Sequence, residues 1–145
     1  MGSDTQMSAD RFLHKELSHK IMGGFFKVRN EYGSGHKETI YGNLLVEYLN
    51  NHGLKVEKEK SIKIFSNQSG KFVGLYKPDL VVDDKVIIEI KSSRFTPGIY
   101  EKQLYSYLKN SNYELGYLVN FGSSALFVKR MIFTNDRKPF LARGG

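Results

Sequence analysis

Three ionisable side chains near the middle of the chain have the types and spacing of a site for metal or acid–base chemistry. Asp79 stands before a run rich in β-branched residues, and Glu89 and Lys91 stand at the end of a second such run. β-branched residues favour strands, and the Asp83-Asp84 pair between the two runs is typical of a turn. The sequence therefore predicts an antiparallel hairpin that brings Asp79 level with Glu89 and Lys91.

A carboxylate pair beside an amine indicates a site for a divalent cation. Two like charges about 4 Å apart repel by about 4 kcal/mol at an effective dielectric constant of about 20, so the pair needs a compensating charge. Mg²⁺ prefers oxygen ligands, which Asp79, Glu89 and the Ile90 carbonyl can supply. Lys91 points to the same side of its strand as Glu89 and can hold or deprotonate a water. The alternative is a solvated hairpin whose charges pair at random.

The composition favours a globular domain with a polyanionic partner. The 145 residues are 40% hydrophobic, and the formal net charge is +7. This charge favours nucleic acid, although many small proteins are basic for no specific reason. The absence of cysteine excludes disulfides and thiolate metal sites. No secretory h-region and no run long enough to span a bilayer is visible, so we expect a cytoplasmic protein without a membrane partner.

Helical periodicity predicts three helices that must position this hairpin. From Ala9 to Tyr32, apolar residues recur every three or four positions. Ser8 or Asp10 is the expected cap of this helix, and the Gly23-Gly24 pair inside it indicates close packing or a kink. A second helix is expected to end near His52 and a third to run from about Ile99 to Asn110.

The remaining segments have the patterns of strands and turns. Residues 54–65 alternate apolar and charged side chains, residues 71–76 begin a return strand, and two final strands are expected at 114–121 and 125–133. The predicted element order is ααβββαββ, which is a mixed α/β domain. We expect residues 1–8 to be disordered or vector-derived, 9–133 to form one domain, and 134–145 to be a frayed basic tail.

Four short motifs together resemble the PD-(D/E)xK nuclease superfamily. Pro78-Asp79 followed by Glu89-Ile90-Lys91 is similar to the core motif of these nucleases. The segment Gly35-His36-Lys37-Glu38-Thr39-Ile40-Tyr41 matches the GxxExxY signature of a small, largely uncharacterised bacterial and archaeal family within the superfamily. Gln103 to Tyr107 resembles the QxxxY helix motif. The resemblance covers about Leu17 to Ile132 and implies a restriction-endonuclease-like core, a mixed β-sheet flanked by helices.

The resemblance also implies a metal-dependent catalytic centre. Asp79 and Glu89 would be ligands of Mg²⁺ or Mn²⁺, and Lys91 would position the attacking water. Glu38, from the second helix, would reach the metal directly or through water. The implied activity is hydrolysis of phosphodiester bonds in DNA, with RNA as an alternative substrate.

Three further side chains are given supporting roles by the resemblance. Gln103 would orient Lys91 or a phosphate, and Tyr41 and Tyr107 would support the site. Without the resemblance, an exposed Gln103, a helix-terminal Glu38 and tyrosines in the core are the simpler interpretations.

Contacts with nucleic acid are expected from basic and aromatic side chains near the site. Lys37, Lys77 and Arg94 are the candidate phosphate contacts, and Tyr100 and Tyr105 are candidates for stacking on bases. A homodimer is a further expectation. The alternative to an enzyme is a catalytically silent nuclease fold that binds nucleic acid or a protein partner.

Overall fold

The computed structural model describes residues 13–144 as a five-stranded mixed sheet with helices on both faces, beside a separate two-stranded ribbon. Two helices come first, α1 (Lys15–Tyr32) and α2 (Glu38–Asn51). The strands that follow are β1 (Val56–Lys58), β2 (Ile62–Phe65), β3 (Phe72–Tyr76), β4 (Leu80–Val82) and β5 (Val86–Lys91). The chain continues with α3 (Gly98–Lys109), β6 (Leu115–Asn120), β7 (Phe127–Ile132), a 3₁₀ turn (Asn135–Arg137) and α4 (Pro139–Gly144).

The main sheet has the strand order β1-β4-β5-β6-β7, and the ribbon pairs β2 with β3. Strands β5 and β6 run parallel, and the other neighbours in this sheet are antiparallel. The parallel pair arises because α3 carries the chain across one face of the sheet between the two strands. This architecture confirms the predicted fold class. Within residues 13–144, no helix is long and apolar enough to cross a membrane.

The central hairpin has the register that the sequence predicts. Leu80 faces Ile88 and Val82 faces Val86, so one further step along the strands places Asp79 level with Glu89. Asp83 and Asp84 both have φ of 52°, and the Lys85 amide donates to the Val82 carbonyl over 3.0 Å. Two left-handed residues match the twist of a hairpin, which is why the acidic pair suits this turn.

The alternation of β5 divides its side chains between two cores. Val86, Ile88 and Ile90 lie in a buried cluster with side chains of α1 and α2, whereas Ile87 lies in a second cluster with side chains of α3. Because successive residues of a strand point to opposite faces, Glu89 and Lys91 point to the face covered by α3. The burial of the apolar residues of β5 thereby determines the face to which Glu89 and Lys91 point.

The glycine pair in α1 permits close helix packing. A Cβ at Gly24 would lie 2.9 Å from Cδ1 of Tyr48 on α2, and one at Gly23 would lie 2.9 Å from the Tyr48 hydroxyl. Helix α1 runs through the pair without interruption. The glycine pair was expected to allow either close packing or a kink, and the structure shows close packing of α1 against α2.

Two predicted elements require correction. Within the described residues the first helix begins at Lys15, because His14 has φ of 51° and cannot continue a right-handed helix back towards Ala9. The predicted caps Ser8 and Asp10 lie outside the described residues. Residues 54–65 form two strands, β1 and β2, because Glu59 has φ of 50° and ends the extended backbone. Five strands therefore precede α3, whereas the predicted order ααβββαββ places only three strands before the third helix.

The predicted frayed tail is wrong for residues 134–144, which form the 3₁₀ turn and α4. The Phe140 ring is 3% exposed and stacks on Phe65 with centroids 4.9 Å apart. Lys138 is also buried, and its Nζ donates to the carbonyls of Ser111 and Tyr113. Burial of an aromatic ring outweighs the polar composition that indicated a tail.

Candidate functional site

Asp79 and Glu89 are linked by backbone–side-chain hydrogen bonds at the open end of the β4–β5 hairpin. The Asp79 amide donates to Glu89 Oε1 over 3.2 Å, and the Ile90 amide donates to Asp79 Oδ2 over 2.7 Å. Each carboxylate therefore accepts a backbone hydrogen bond from the strand that carries the other. This exchange fixes both side chains where regular pairing of the strands ends.

The environment of the pair disfavours two negative charges. Burial raises the pKa of Glu89 to about 7, and the neighbouring charge of Asp79 adds to the effect. Burial also raises the pKa of Asp79, and the charge of Glu38 contributes in the same direction. Lys91 lowers both values, but among residues 13–144 neither carboxylate forms an ion pair. The site is thus short of positive charge.

Tyr76 supports Glu89 and was not among the residues expected from the sequence. Its hydroxyl donates to Glu89 Oε1 over 2.5 Å, and its ring stacks on Tyr107 with centroids 3.6 Å apart. Burial, with the charge of Glu89, raises the pKa of Tyr76, so the hydroxyl stays a donor. Tyr107 therefore lies beside the site and acts through Tyr76. The one sequence signal was a tyrosine at the end of the strand that precedes Asp79.

Lys91 is held by an aromatic ring of α3. Its Nζ lies 4.2 Å from the centroid of the Tyr100 ring, which is a cation–π contact. Gln103, one turn further along α3, is exposed and makes no side-chain hydrogen bond within residues 13–144. Gln103 was expected to orient Lys91 or a phosphate; in the structure the contact with Lys91 is made by Tyr100. Tyr105, also on α3, packs edge-on against Phe133, which follows β7.

Glu38 begins α2, and Tyr41 fixes the turn before it. The Tyr41 hydroxyl donates to the Gly33 carbonyl over 2.6 Å and accepts from the His36 amide over 3.2 Å. The Tyr41 ring is fully buried and stacks on Phe121 with centroids 4.4 Å apart. Glu38 Oε2 accepts from the Ser92 amide over 3.3 Å, directly after Lys91. The tyrosine of the GxxExxY segment thus determines where its glutamate lies.

A cleft of about 270 Å³ joins Glu38 to the hairpin. Its lining includes Glu38 and Gly42 from α2 together with Asp79 and Ile90. Asp79 and Glu38 reach this cleft from separate elements. The negative charge of Glu38 acts on Asp79 across it, which is visible in the raised pKa of Asp79.

The donor set fits a hard divalent cation that keeps several waters. Asp79 Oδ1 and Glu89 Oε2 accept no hydrogen bond from the described residues, so each carboxylate has one oxygen available. Within residues 13–144 no three His, Cys, Asp or Glu side chains form a ready cage for a metal ion. Mg²⁺ commonly binds to one or two carboxylates with waters and substrate phosphate, and this pair provides that arrangement.

The three predicted phosphate contacts are exposed, and each lies within three residues of a candidate site residue in the chain. Lys37 directly precedes Glu38, Lys77 lies two residues before Asp79, and Arg94 lies three residues after Lys91. The Arg94 guanidinium lies 5.5 Å from the centroid of the Phe95 ring. No contact in the described residues commits Lys37 or Lys77 to another side chain, so both are available to a ligand.

Asn120 is a second residue that the sequence analysis missed. It ends β6 opposite Lys91 and is fully buried. Its amide bonds the loop that follows Lys91, at Ser93 and Thr96. The available signal was an asparagine at the end of an otherwise apolar run, which is uncommon without a hydrogen-bonding role.

The mixed sheet, with Asp79 directly before β4 and with Glu89 and Lys91 on the adjacent strand β5, defines a restriction-endonuclease-like protein. The family model described as the PD-(D/E)XK nuclease superfamily matches residues 15–131, and the chain belongs to this superfamily. A solved structure titled "Crystal structure of SSO0001" is 19% identical, with a TM-score of 0.44, and the match covers 97% of this chain and 83% of that chain. A comparison with curated proteins gave no significant match.

Proposed function

We propose that this protein is a nuclease of the GxxExxY type that depends on Mg²⁺ or Mn²⁺ and hydrolyses phosphodiester bonds of DNA, with RNA as an alternative substrate. The observation that carries the proposal is the partly buried Asp79–Glu89 pair, which has no ion-pair partner among the described residues. Such a pair is unfavourable in the free protein and favourable around a cation. Membership of the nuclease superfamily supports the same activity.

Asp79 and Glu89 would hold the cation through their available oxygens, together with the Ile90 carbonyl. Glu38 lines the same cleft as Asp79 and would contribute directly or through a water. When bound, the cation supplies Lewis-acid stabilisation of charge on the phosphate and lowers the pKa of a water. Tyr76 keeps one oxygen of Glu89 occupied by a hydrogen bond, so the other oxygen would be the one that binds the cation.

Lys91 would orient the attacking water, because it lies on the same face of β5 as Glu89. The Tyr100 ring contacts the ammonium without neutralising its charge. An ammonium donates hydrogen bonds only, so a water held by Lys91 presents a lone pair for attack at phosphorus. Gln103, Lys37, Lys77 and Arg94 would contact phosphates of the substrate strand, since all four are exposed.

The proposal is tested by incubating supercoiled plasmid and linear DNA with the protein and either Mg²⁺ or Mn²⁺. We expect cleavage that EDTA abolishes and that Glu89→Gln slows by at least about 100-fold, because the variant loses a charged ligand. Glu47→Gln is the matched control, since Glu47 is exposed on the solvent side of α2. Its rate should equal that of the wild type.

Equal background cleavage by the wild type and by Glu89→Gln would contradict the nuclease proposal. If such a protein also failed to bind Mn²⁺ but bound nucleic acid with an affinity that falls steeply with salt, it would be a binding module. The predicted homodimer stays a prediction, and sedimentation velocity of the wild type tests it.

A further inference from the structure

A buried amide organises the loop that follows Lys91. Asn120 is fully buried and faces Lys91 in the register of β5 and β6. Its Oδ1 accepts from the amides of Ser93, over 3.1 Å, and Gly122, over 2.9 Å. Its Nδ2 donates to the Ser93 carbonyl over 3.0 Å and to Thr96 Oγ1 over 2.7 Å. The hydrogen-bonding capacity of one buried side chain is thus directed to this loop.

Two further contacts restrict the same loop. A Cβ at Gly122 would lie 2.4 Å from the Ser93 nitrogen, so only glycine allows the backbones to approach this closely. On the other side, the Ser92 amide donates to Glu38, and Ser92 Oγ donates to the His36 carbonyl over 2.5 Å. The loop is therefore held between the end of β6 and the start of α2, next to the proposed catalytic residues.

Phe95 is presented to solvent by this restricted backbone. Its carbonyl accepts from Ser93 Oγ over 2.8 Å and from Asn120 Nδ2 over 3.4 Å. Its side chain is nevertheless 72% exposed, more than any other large hydrophobic residue that the structure describes. The Arg94 guanidinium lies beside the ring, with 5.5 Å to its centroid. An exposed ring on a restricted backbone, flanked by a cation, is suited to a flat, anionic partner.

We propose that Phe95 is a stacking platform for an unpaired base of the substrate strand, so that the site prefers single-stranded or frayed nucleic acid to intact duplex. This inference rests on the proposed nuclease function. Every base has a face that can stack on an aromatic ring, whereas the bases of an intact duplex already cover one another. Arg94 would contact the adjoining phosphate, and Lys91 lies four residues before Phe95 in the chain.

The aromatic residues expected to stack on bases are engaged in the structure. Tyr100 lies against the Lys91 ammonium, and Tyr105 packs edge-on against Phe133. Phe95 has no ring contact with another aromatic residue among those described. Phe95 differs from these tyrosines because its ring is exposed and packs on no other ring that the structure describes.

A fluorescence titration of Phe95→Trp tests the stacking directly. The chain has no tryptophan, so the variant carries a single indole. We expect a single-stranded oligonucleotide to quench this fluorescence saturably in EDTA, and a blunt duplex of the same length to quench it much less. The control is Phe26→Trp, because Phe26 is 51% exposed on α1, which carries no proposed site residue. Equal quenching in the two variants, or none at position 95, would overturn the proposal.

Anisotropy binding assays of Phe95→Ala give a second measurement. Loss of one stacked base should weaken the affinity for the single strand by about 5- to 50-fold and leave the duplex affinity within about 2-fold. Phe26→Ala should change neither affinity. An equal loss for both substrates, or no loss, contradicts the platform. Because these assays need no cleavage, quenching by a single strand in a protein that does not cut would contradict the nuclease proposal alone.

Discussion

At the scale of single residues, Glu89 couples the proposed site to pH. Burial and the charge of Asp79 raise the pKa of Glu89 to about 7 from an ordinary value of 4.5. Between these two pH values, the carboxyl of Glu89 is therefore protonated in the folded, metal-free protein and ionised in the unfolded chain. This contribution to stability is full below about pH 4.5 and is lost as the pH rises through 7. A cation needs the charged form, so metal affinity changes in the opposite direction.

We therefore predict that the affinity for Mn²⁺ rises with pH up to about 7 and then levels off. Calorimetric titrations from pH 5.5 to 8 should show about a 10-fold gain per pH unit below the pKa of Glu89, with release of a proton on binding. Glu89→Gln should bind weakly at every pH, and Glu47→Gln should reproduce the wild-type profile. An affinity that is constant across this range would show that Glu89 is not a ligand.

Residue spacing alone located the charged group, because Asp79, Glu89 and Lys91 belong to one hairpin whose register is set by a local turn. Tyr76 and Asn120 could not be found in this way. Tyr76 donates to Glu89 from β3 and stacks on Tyr107, and Asn120 bonds a loop more than 20 residues away in the chain. Such contacts depend on how β3, β6 and α3 pack, which local patterns do not specify.

At the scale of elements, the start of α2 depends on one hydroxyl. Tyr41 joins the Gly33 carbonyl to the His36 amide and so shapes the turn from which Glu38 emerges. The ring itself packs on Phe121. Removing only the hydroxyl separates the positioning of Glu38 from the packing of the core.

Tyr41→Phe should lower the free energy of unfolding by about 1–2 kcal/mol, because two partly buried neutral hydrogen bonds are lost. We also expect kcat for cleavage to fall about 10-fold with KM nearly unchanged, since the role proposed for Glu38 is at the reacting centre rather than at distant parts of the substrate. Urea denaturation and steady-state cleavage measure the two effects. Tyr32→Phe, on the exposed side of α1, is the control. A stability loss with unchanged kcat would remove the positioning role.

The elements nearest the site were the most predictable ones. Helices α2 and α3 follow clear apolar periodicity, and the Asp83-Asp84 turn has the residue types its conformation requires. The break at Glu59 was not visible, because a glutamate gives no local indication of a left-handed backbone.

At the scale of the whole molecule, the C-terminal residues complete the fold on the side of the β2–β3 ribbon. Phe140 stacks on Phe65 of β2, and Lys138 binds two carbonyls between α3 and β6. The segment has too few residues to show periodicity, so its composition alone indicated a tail. Its burial depends on a contact with a strand over 70 residues earlier.

Phe140→Ala should lower the free energy of unfolding by about 3 kcal/mol, the usual cost of deleting a buried aromatic ring. Leu141→Ala is the neighbouring control, because Leu141 is 38% exposed and should cost less than about 1 kcal/mol. Urea denaturation followed by circular dichroism measures both. Equal midpoints for Phe140→Ala and the wild type would show that α4 does not contribute to the stability of the domain.

The proposed metal centre lies where α2, the β4–β5 hairpin and α3 meet at one end of the strands. Anomalous diffraction from crystals soaked in Mn²⁺ tests it most directly. We predict a peak about 2.0–2.3 Å from carboxylate oxygens of both Asp79 and Glu89, and no peak there in Glu89→Gln crystals. Wild-type crystals without density between these two side chains at saturating Mn²⁺, or density that persists in Glu89→Gln, would contradict the account.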